Sequence, residues 1–150
     1  MIYVHPGRLY VGRGDEQVTT ILGSCVSVCL HDPVAGIGGL NHFLLPHSPP
    51  ETEASPRYAR AAVESLVHLM VSEGARSSRL QAHIVGGARV LFAFPDQNHL
   101  GLRNAEAASA LLAEHRIPVM SSDVGGDRGR KLVFVPRNGT RSILFLGQNG

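Results

Sequence analysis

Along residues 25–31 the side chains alternate, with Val26, Val28 and Leu30 on one side and Cys25, Ser27, Cys29 and His31 on the other. A period of two predicts a strand with one apolar face. The cluster Asp32-Pro33-Val34-Ala35-Gly36 then marks a turn, and residues 37–45 run apolar until Pro46, so the two segments predict a β-hairpin. Upstream, residues 8–11 and 17–22 read as short strands separated by Gly12-Arg13-Gly14-Asp15, with Gly23-Ser24 linking the second to the cysteine strand. Residues 47–57 combine three prolines with small and charged residues, supply no core, and predict a mobile surface loop.

The period changes after that loop. Ala59, Ala62, Val63, Leu66, Val67 and Met70 form a helical stripe over residues 58–73, with Ser55 and Pro56 as a start signal and Gly74 as a stop. Residues 80–85 predict a strand ending at Gly86-Gly87. Asn104 caps a second helix reaching about residue 114, with Ala107, Ala108, Leu111 and Leu112 facing inward. A strand over 117–122, a glycine-rich loop over 123–130, and strands over 131–135 and 142–146 joined by a turn containing Asn138-Gly139 complete the chain. Strands outnumber helices and several form hairpins, which predicts an α+β layered architecture with mostly antiparallel sheets and two main helices.

A chain of 150 residues suits one domain, 1–150, and 43% hydrophobic with 17% charged residues is ordinary globular composition. The net charge is only +2 and the thirteen arginines are scattered, which excludes a dedicated nucleic-acid surface. No apolar run approaches the roughly 18 to 20 residues of a spanning helix, and Met1-Ile2-Tyr3-Val4-His5-Pro6 lacks a signal-peptide pattern. A cytoplasmic protein without membrane insertion is expected.

Candidate chemistry centres on Cys25, at the junction of a Gly-Ser turn and a strand. Cys29 is about 13 Å further along that strand, beyond the roughly 7 Å reach of a disulfide, so both thiols should be free. The same distance opposes a metal site built from Cys25, Cys29, His31 and His42. Most free cysteines are inert packing residues, as expected for Cys29, so Cys25 needs a partner. His42 shares its face of the hairpin if paired residue numbers sum to 67 or 69. A four-residue loop over 33–36 gives 69, making the two diagonal neighbours about 7 to 8 Å apart. An adjacent imidazolium would lower the thiol pKa. Thr19 or Thr20, on the neighbouring strand, can orient the imidazole, and backbone N–H groups near Ser24 and Cys25 can stabilise an oxyanion. The Gly125-Gly126 loop with Arg128 and Arg130 reads as a structural turn rather than an anion nest, and the remaining histidines as solvated or hydrogen-bonded.

The run Thr19-Thr20-Ile21-Leu22-Gly23-Ser24-Cys25-Val26-Ser27-Val28-Cys29-Leu30-His31-Asp32-Pro33, followed by Gly36-Ile37-Gly38-Gly39-Leu40-Asn41-His42-Phe43-Leu44-Leu45-Pro46, closely resembles the CheD family of bacterial chemoreceptor glutamine deamidases. The resemblance continues through Tyr58-Ala59, Gly86-Gly87-Ala88, Gly101-Leu102-Arg103-Asn104 and Asp123-Val124-Gly125-Gly126 with Arg130. It implies a cofactor-free cysteine hydrolase with Cys25, His42 and Thr19, six before the cysteine, as its catalytic residues. The implied fold is a three-layer α/β/β sandwich similar to the catalytic domain of the cytotoxic necrotizing factor toxins. The implied reaction deamidates receptor glutamines to glutamate through a thioester, with possible methylesterase activity. The implied partners are the cytoplasmic helices of methyl-accepting chemoreceptors and, in some members, a CheC-type phosphatase. Leu100 stands where the family often has isoleucine, and some members carry a longer C-terminal extension. A non-catalytic module docking a phosphatase or receptor helix is the alternative; a general cysteine peptidase is weaker, because its site would have to accept main chain.

Overall fold

The computed structural model describes residues 1–89 and 99–147. Nine strands and two α-helices are found among them: β1 (Ile2–Tyr3), β2 (Leu9–Gly12), β3 (Val18–Leu22), β4 (Val26–Asp32), β5 (Ile37–Asn41), α1 (Ala59–Ser72), β6 (Gln81–Gly86), α2 (Leu100–Glu114), β7 (Val119–Val124), β8 (Arg130–Phe134) and β9 (Arg141–Phe145). One sheet has the order β2-β5-β4-β6-β7 and the other β1-β3-β8-β9. The expected α+β sandwich is the architecture found. Most pairings are antiparallel, with β1–β3 and β6–β7 parallel.

Alternation along β4 decides what each layer contains. Val26, Val28 and Leu30 join Ala62, Val63, Leu66 and Met70 of α1 and Ala108 and Leu112 of α2 in the core under the helices. Cys29 faces the opposite way, into a second core between the sheets with Val18, Leu22, Leu40, Val85, Leu132 and Phe134, against which Cys25 also packs. Truncating one of these buried Leu or Phe side chains to alanine costs about 2–5 kcal/mol.

The turn between β4 and β5 is fixed by Asp32. Its fully buried carboxylate accepts from the N–H groups of Val34 (2.9 Å), Ala35 (3.0 Å) and Arg76 (2.9 Å) and from Arg79 Nε (3.0 Å). Burial alone would raise its pKa; Arg79 and the three amides outweigh burial and hold the carboxyl well below its usual range. So anchored, the turn pairs Asp32 with Ile37 and Cys29 with Leu40, the sum of 69 expected for a four-residue loop.

Four elements differ from the sequence expectation. β5, expected over 37–45, ends at Asn41, with Phe43 and Leu45 in isolated bridges beyond it. β1 is two residues long, too short for any period. β7 lies two residues later than expected because Pro118 is still outside the strand, its carbonyl accepting from Ala82 N–H. The largest difference is α2, which starts at Leu100 after a left-handed His99, so Asn104 lies inside the helix and is not its cap. The helix begins early because it rests directly on the chain beyond β6: a Cβ on Gly101 would sit 2.4 Å from the Gly87 carbonyl oxygen and 2.5 Å from that of Ala88. Only glycine permits that approach.

Candidate active site

Past Asn41 the β5 strand continues as one further bridge, Val26 with Phe43, in the same register. His42 therefore lies opposite Ser27 and diagonal to Cys25, on the face between the sheets. Its backbone is held from the β2 side, its N–H by Arg8 O (3.2 Å) and its carbonyl by Gly7 N–H (2.8 Å). Its ring is held from the other sheet, where Thr20 Oγ1 lies 2.7 Å from Nδ1. The Thr20 hydroxyl donates its own proton to Val4 O at 2.7 Å. The contact to the ring must then run the other way, with Nδ1–H donating to Oγ1, which leaves Nε2 as the bare nitrogen. Nε2 is buried and has no hydrogen-bond partner among the described residues.

The two threonines are thereby separated. Side chains alternate across β3, so Thr20 faces inward with Val18 and Leu22 while Thr19 lies on the other face with half-exposed Ile21. The Thr19 hydroxyl donates to Leu132 O at 2.9 Å. The structure thus places Thr20, and not Thr19, on the imidazole.

Cys25 is half-buried at the start of β4, and its turn is pinned at three consecutive carbonyls. Gly23 O accepts from Ala88 N–H (2.9 Å), Ser24 O from Asn104 Nδ2 (2.9 Å), and Cys25 O from Gly87 N–H (2.9 Å). The N–H groups of Ser24 and Cys25 donate to no described residue. A cavity of about 270 Å³ lined by Gly87, Arg89, His99, Leu102, Gly125 and Gly126 lies beside the turn.

Burial shifts both candidate groups toward neutrality. It raises the Cys25 thiol and lowers the His42 imidazole to about 4, an effect opposed by the Val4 carbonyl and reinforced by His5. The resting pair is a thiol and a neutral imidazole, not the thiolate and imidazolium expected from an exposed pairing. Sγ and Nε2 are not hydrogen-bonded to each other.

Two other sequence candidates have structural duties. Cys29 is fully buried, its thiol pushed up to about 12 chiefly by desolvation. Arg130 is a buried tie between the sheets, its guanidinium bonded to Asp123 (3.0 Å) and to Gly125 O (3.0 Å) and lying 4.8 Å from the Phe145 ring centroid. Among the described residues no group of three His, Cys, Asp or Glu side chains converges as a metal site, and no helix is long and apolar enough to cross a membrane. Asn104, expected as a helix cap, instead donates from Nδ2 to Ser24 O beside Cys25 and to Leu44 O. The signal was a polar residue at 104 in a stripe that otherwise buries Ala105, Ala108, Leu111 and Leu112.

A profile of the CheD family, described as chemotactic sensory transduction, matches residues 44–144. The probable chemoreceptor glutamine deamidase CheD 1 of Anaeromyxobacter dehalogenans is 50% identical over 145 residues, 97% of this chain and 84% of that protein. The probable chemoreceptor glutamine deamidase CheD of Agrobacterium fabrum is 46% identical over 130 residues, covering 86% of this chain and 70% of its own. That of Saccharophagus degradans is 35% identical over 154 residues, covering 97% and 70%.

Proposed function

Because the chain belongs to the CheD family, and because its hairpin register puts Cys25 and a neutral imidazole with a free Nε2 on one face, we propose that it is a protein-glutamine deamidase acting on chemoreceptors, with Cys25 as nucleophile. The thiol sulfur attacks the side-chain amide carbon of a receptor glutamine while His42 Nε2 takes the thiol proton. The oxyanion so formed is received by the N–H groups of Ser24 and Cys25. As the carbon–nitrogen bond breaks, the imidazolium returns its proton and ammonia leaves, giving a γ-glutamyl thioester. Water then gives a proton to Nε2 and attacks the thioester carbon, and the released thiolate regains the proton. The sum is glutamine plus water to glutamate plus ammonia.

Thr20 holds the ring in the tautomer that leaves Nε2 bare. Thr19, the residue implied by the family resemblance, keeps β3 joined to β8 through Leu132 in this scheme. A glutamyl methyl ester would pass through the same thioester with methanol leaving, so methylesterase activity is part of the proposal. The proposed partners are the cytoplasmic helices of the receptors and a CheC-type phosphatase. The observation that carries the reading is the shared face of Cys25 and His42. Its test is mass spectrometry of receptor fragments incubated with the protein. Each modified glutamine should gain about one mass unit, and the shift should be absent with folded Cys25→Ala and His42→Ala proteins; a shift that persists in Cys25→Ala overturns the nucleophile.

A further inference from the structure

We infer that Asn104 is a positioning residue for the reaction: its side-chain amide holds the Ser24–Cys25 peptide so that the Cys25 N–H faces the reacting oxygen. The inference rests on the proposed role of Cys25. Asn104 is fully buried on α2, and Nδ2 donates both of its hydrogens, to Ser24 O and to Leu44 O, each at 2.9 Å. One acceptor immediately precedes Cys25 and the other lies two residues after His42. A single side chain thus staples the nucleophile turn to the strand end that carries the base.

The direction follows from peptide geometry. The Ser24 carbonyl and the Cys25 N–H belong to one trans peptide unit and point oppositely. α2 packs on the helix-side face of the five-stranded sheet, where Val26 and Val28 point, so drawing Ser24 O toward α2 turns the Cys25 N–H away from the helices. The flanking carbonyls, Gly23 O and Cys25 O, are held by main-chain N–H groups. The middle one alone depends on a side chain.

That side chain is retained at a cost. Because both acceptors are carbonyls, the nitrogen must face them, and Oδ1 is left buried without a partner among the described residues. A residue kept only to fill the α2 stripe would be apolar. Asparagine here exchanges packing quality for the orientation of one peptide.

Alkylation separates this role from mere support of the fold. Iodoacetamide reacts with the Cys25 sulfur by displacement and forms no oxyanion, whereas deamidation needs both sulfur and oxyanion donor. Asn104→Ala should lower kcat for receptor deamidation about 10- to 100-fold, with KM and the alkylation rate of Cys25 within about threefold of the parent. Deamidation within about twofold of the parent, or a parallel collapse of alkylation and kcat, overturns the inference. If Asn104→Ala does not fold, Asn104→Ser is read the same way; if neither folds, Asn104 is a determinant of the fold and the positioning role falls. A Cys25→Ala control that remains active refutes the nucleophile itself, a result distinct from an inactive Cys25→Ala beside a fully active Asn104→Ala.

Discussion

A cysteine, a histidine and a hydroxyl side chain come together twice along β4, once with threonine and once with serine. At one end are Cys25, His42 and Thr20, with Nδ1 of the histidine 2.7 Å from the hydroxyl. Four residues along β4 are Cys29, His83 directly opposite it, and Ser121, again with Nδ1 2.6 Å from a hydroxyl. Both imidazoles are pushed down to about 4, with desolvation the largest cause in each; at His83 the charges of Arg141 and His31 add to it. A cysteine, a histidine and a hydroxyl therefore do not make an active site by themselves. Cys29 lies mid-strand between β5 and β6, and its thiol is fully buried. Cys25 lies just before the strand, half-buried, in a turn where the N–H groups of Ser24 and Cys25 donate to no described residue. Access and donors uncommitted among the described residues, both products of the strand's end, distinguish the end at which we propose the chemistry from the packed one.

The sharpest way to break this comparison is to exchange the roles of the cysteines. Cys25→Ser should eliminate detectable deamidation, whereas Cys29→Ser should leave kcat within about threefold and lower stability by about 1–3 kcal/mol through an added buried hydroxyl. Iodoacetamide should label one of the two free cysteines in the folded protein and both after unfolding. Labelling of Cys29 in the folded state, found by peptide mapping, would show that burial is not what distinguishes the two ends.

A second test separates adjacent residues on one strand. Thr20→Val removes the acceptor of His42 Nδ1–H and should lower kcat/KM about 10- to 100-fold. Thr19→Val removes a bond to Leu132 O on the other face and should mainly lower the melting temperature. The reverse ranking would show that the ring is held differently during turnover.

The threonine pair also marks where reading the sequence stops. The shared face of Cys25 and His42 was legible, because a hairpin's parity is arithmetic once Asp32 and Gly36 set the loop length. Which threonine meets His42 was not. The residues alone leave Thr19 and Thr20 both open and the family resemblance implies Thr19, but the inward parity of β3 depends on how one sheet packs on another, and no local pattern encodes that. Asn104 escaped for a related reason. An asparagine near a predicted helix start reads as a cap, whereas the true start depends on Gly101 meeting Gly87, a contact between residues fourteen apart in sequence. The charge states were equally hidden, since a spacing rule sees the two groups as neighbours and not that both are desolvated.

The smallest expected effects on turnover are those of protons at the two ends. Both histidines are neutral in the folded protein above about pH 4, whereas in the unfolded chain they take up protons near pH 6.5. The unfolded state thus binds more protons between these values, and stability falls as the pH is lowered through that window. Below it Asp32, whose folded pKa is depressed, adds its own loss as the carboxyl is protonated. His83→Gln removes one proton from the difference and should flatten the decline by up to ~1.4 kcal/mol per pH unit, measured by urea unfolding at pH 6.5, 5.5 and 4.5. The same substitution should leave the acid limb of kcat/KM in place near pH 4, because the proposed base is His42. An acid limb near 6.5, or one that moves with His83→Gln, would mean that the base at the Cys25 end is not the desolvated imidazole described here.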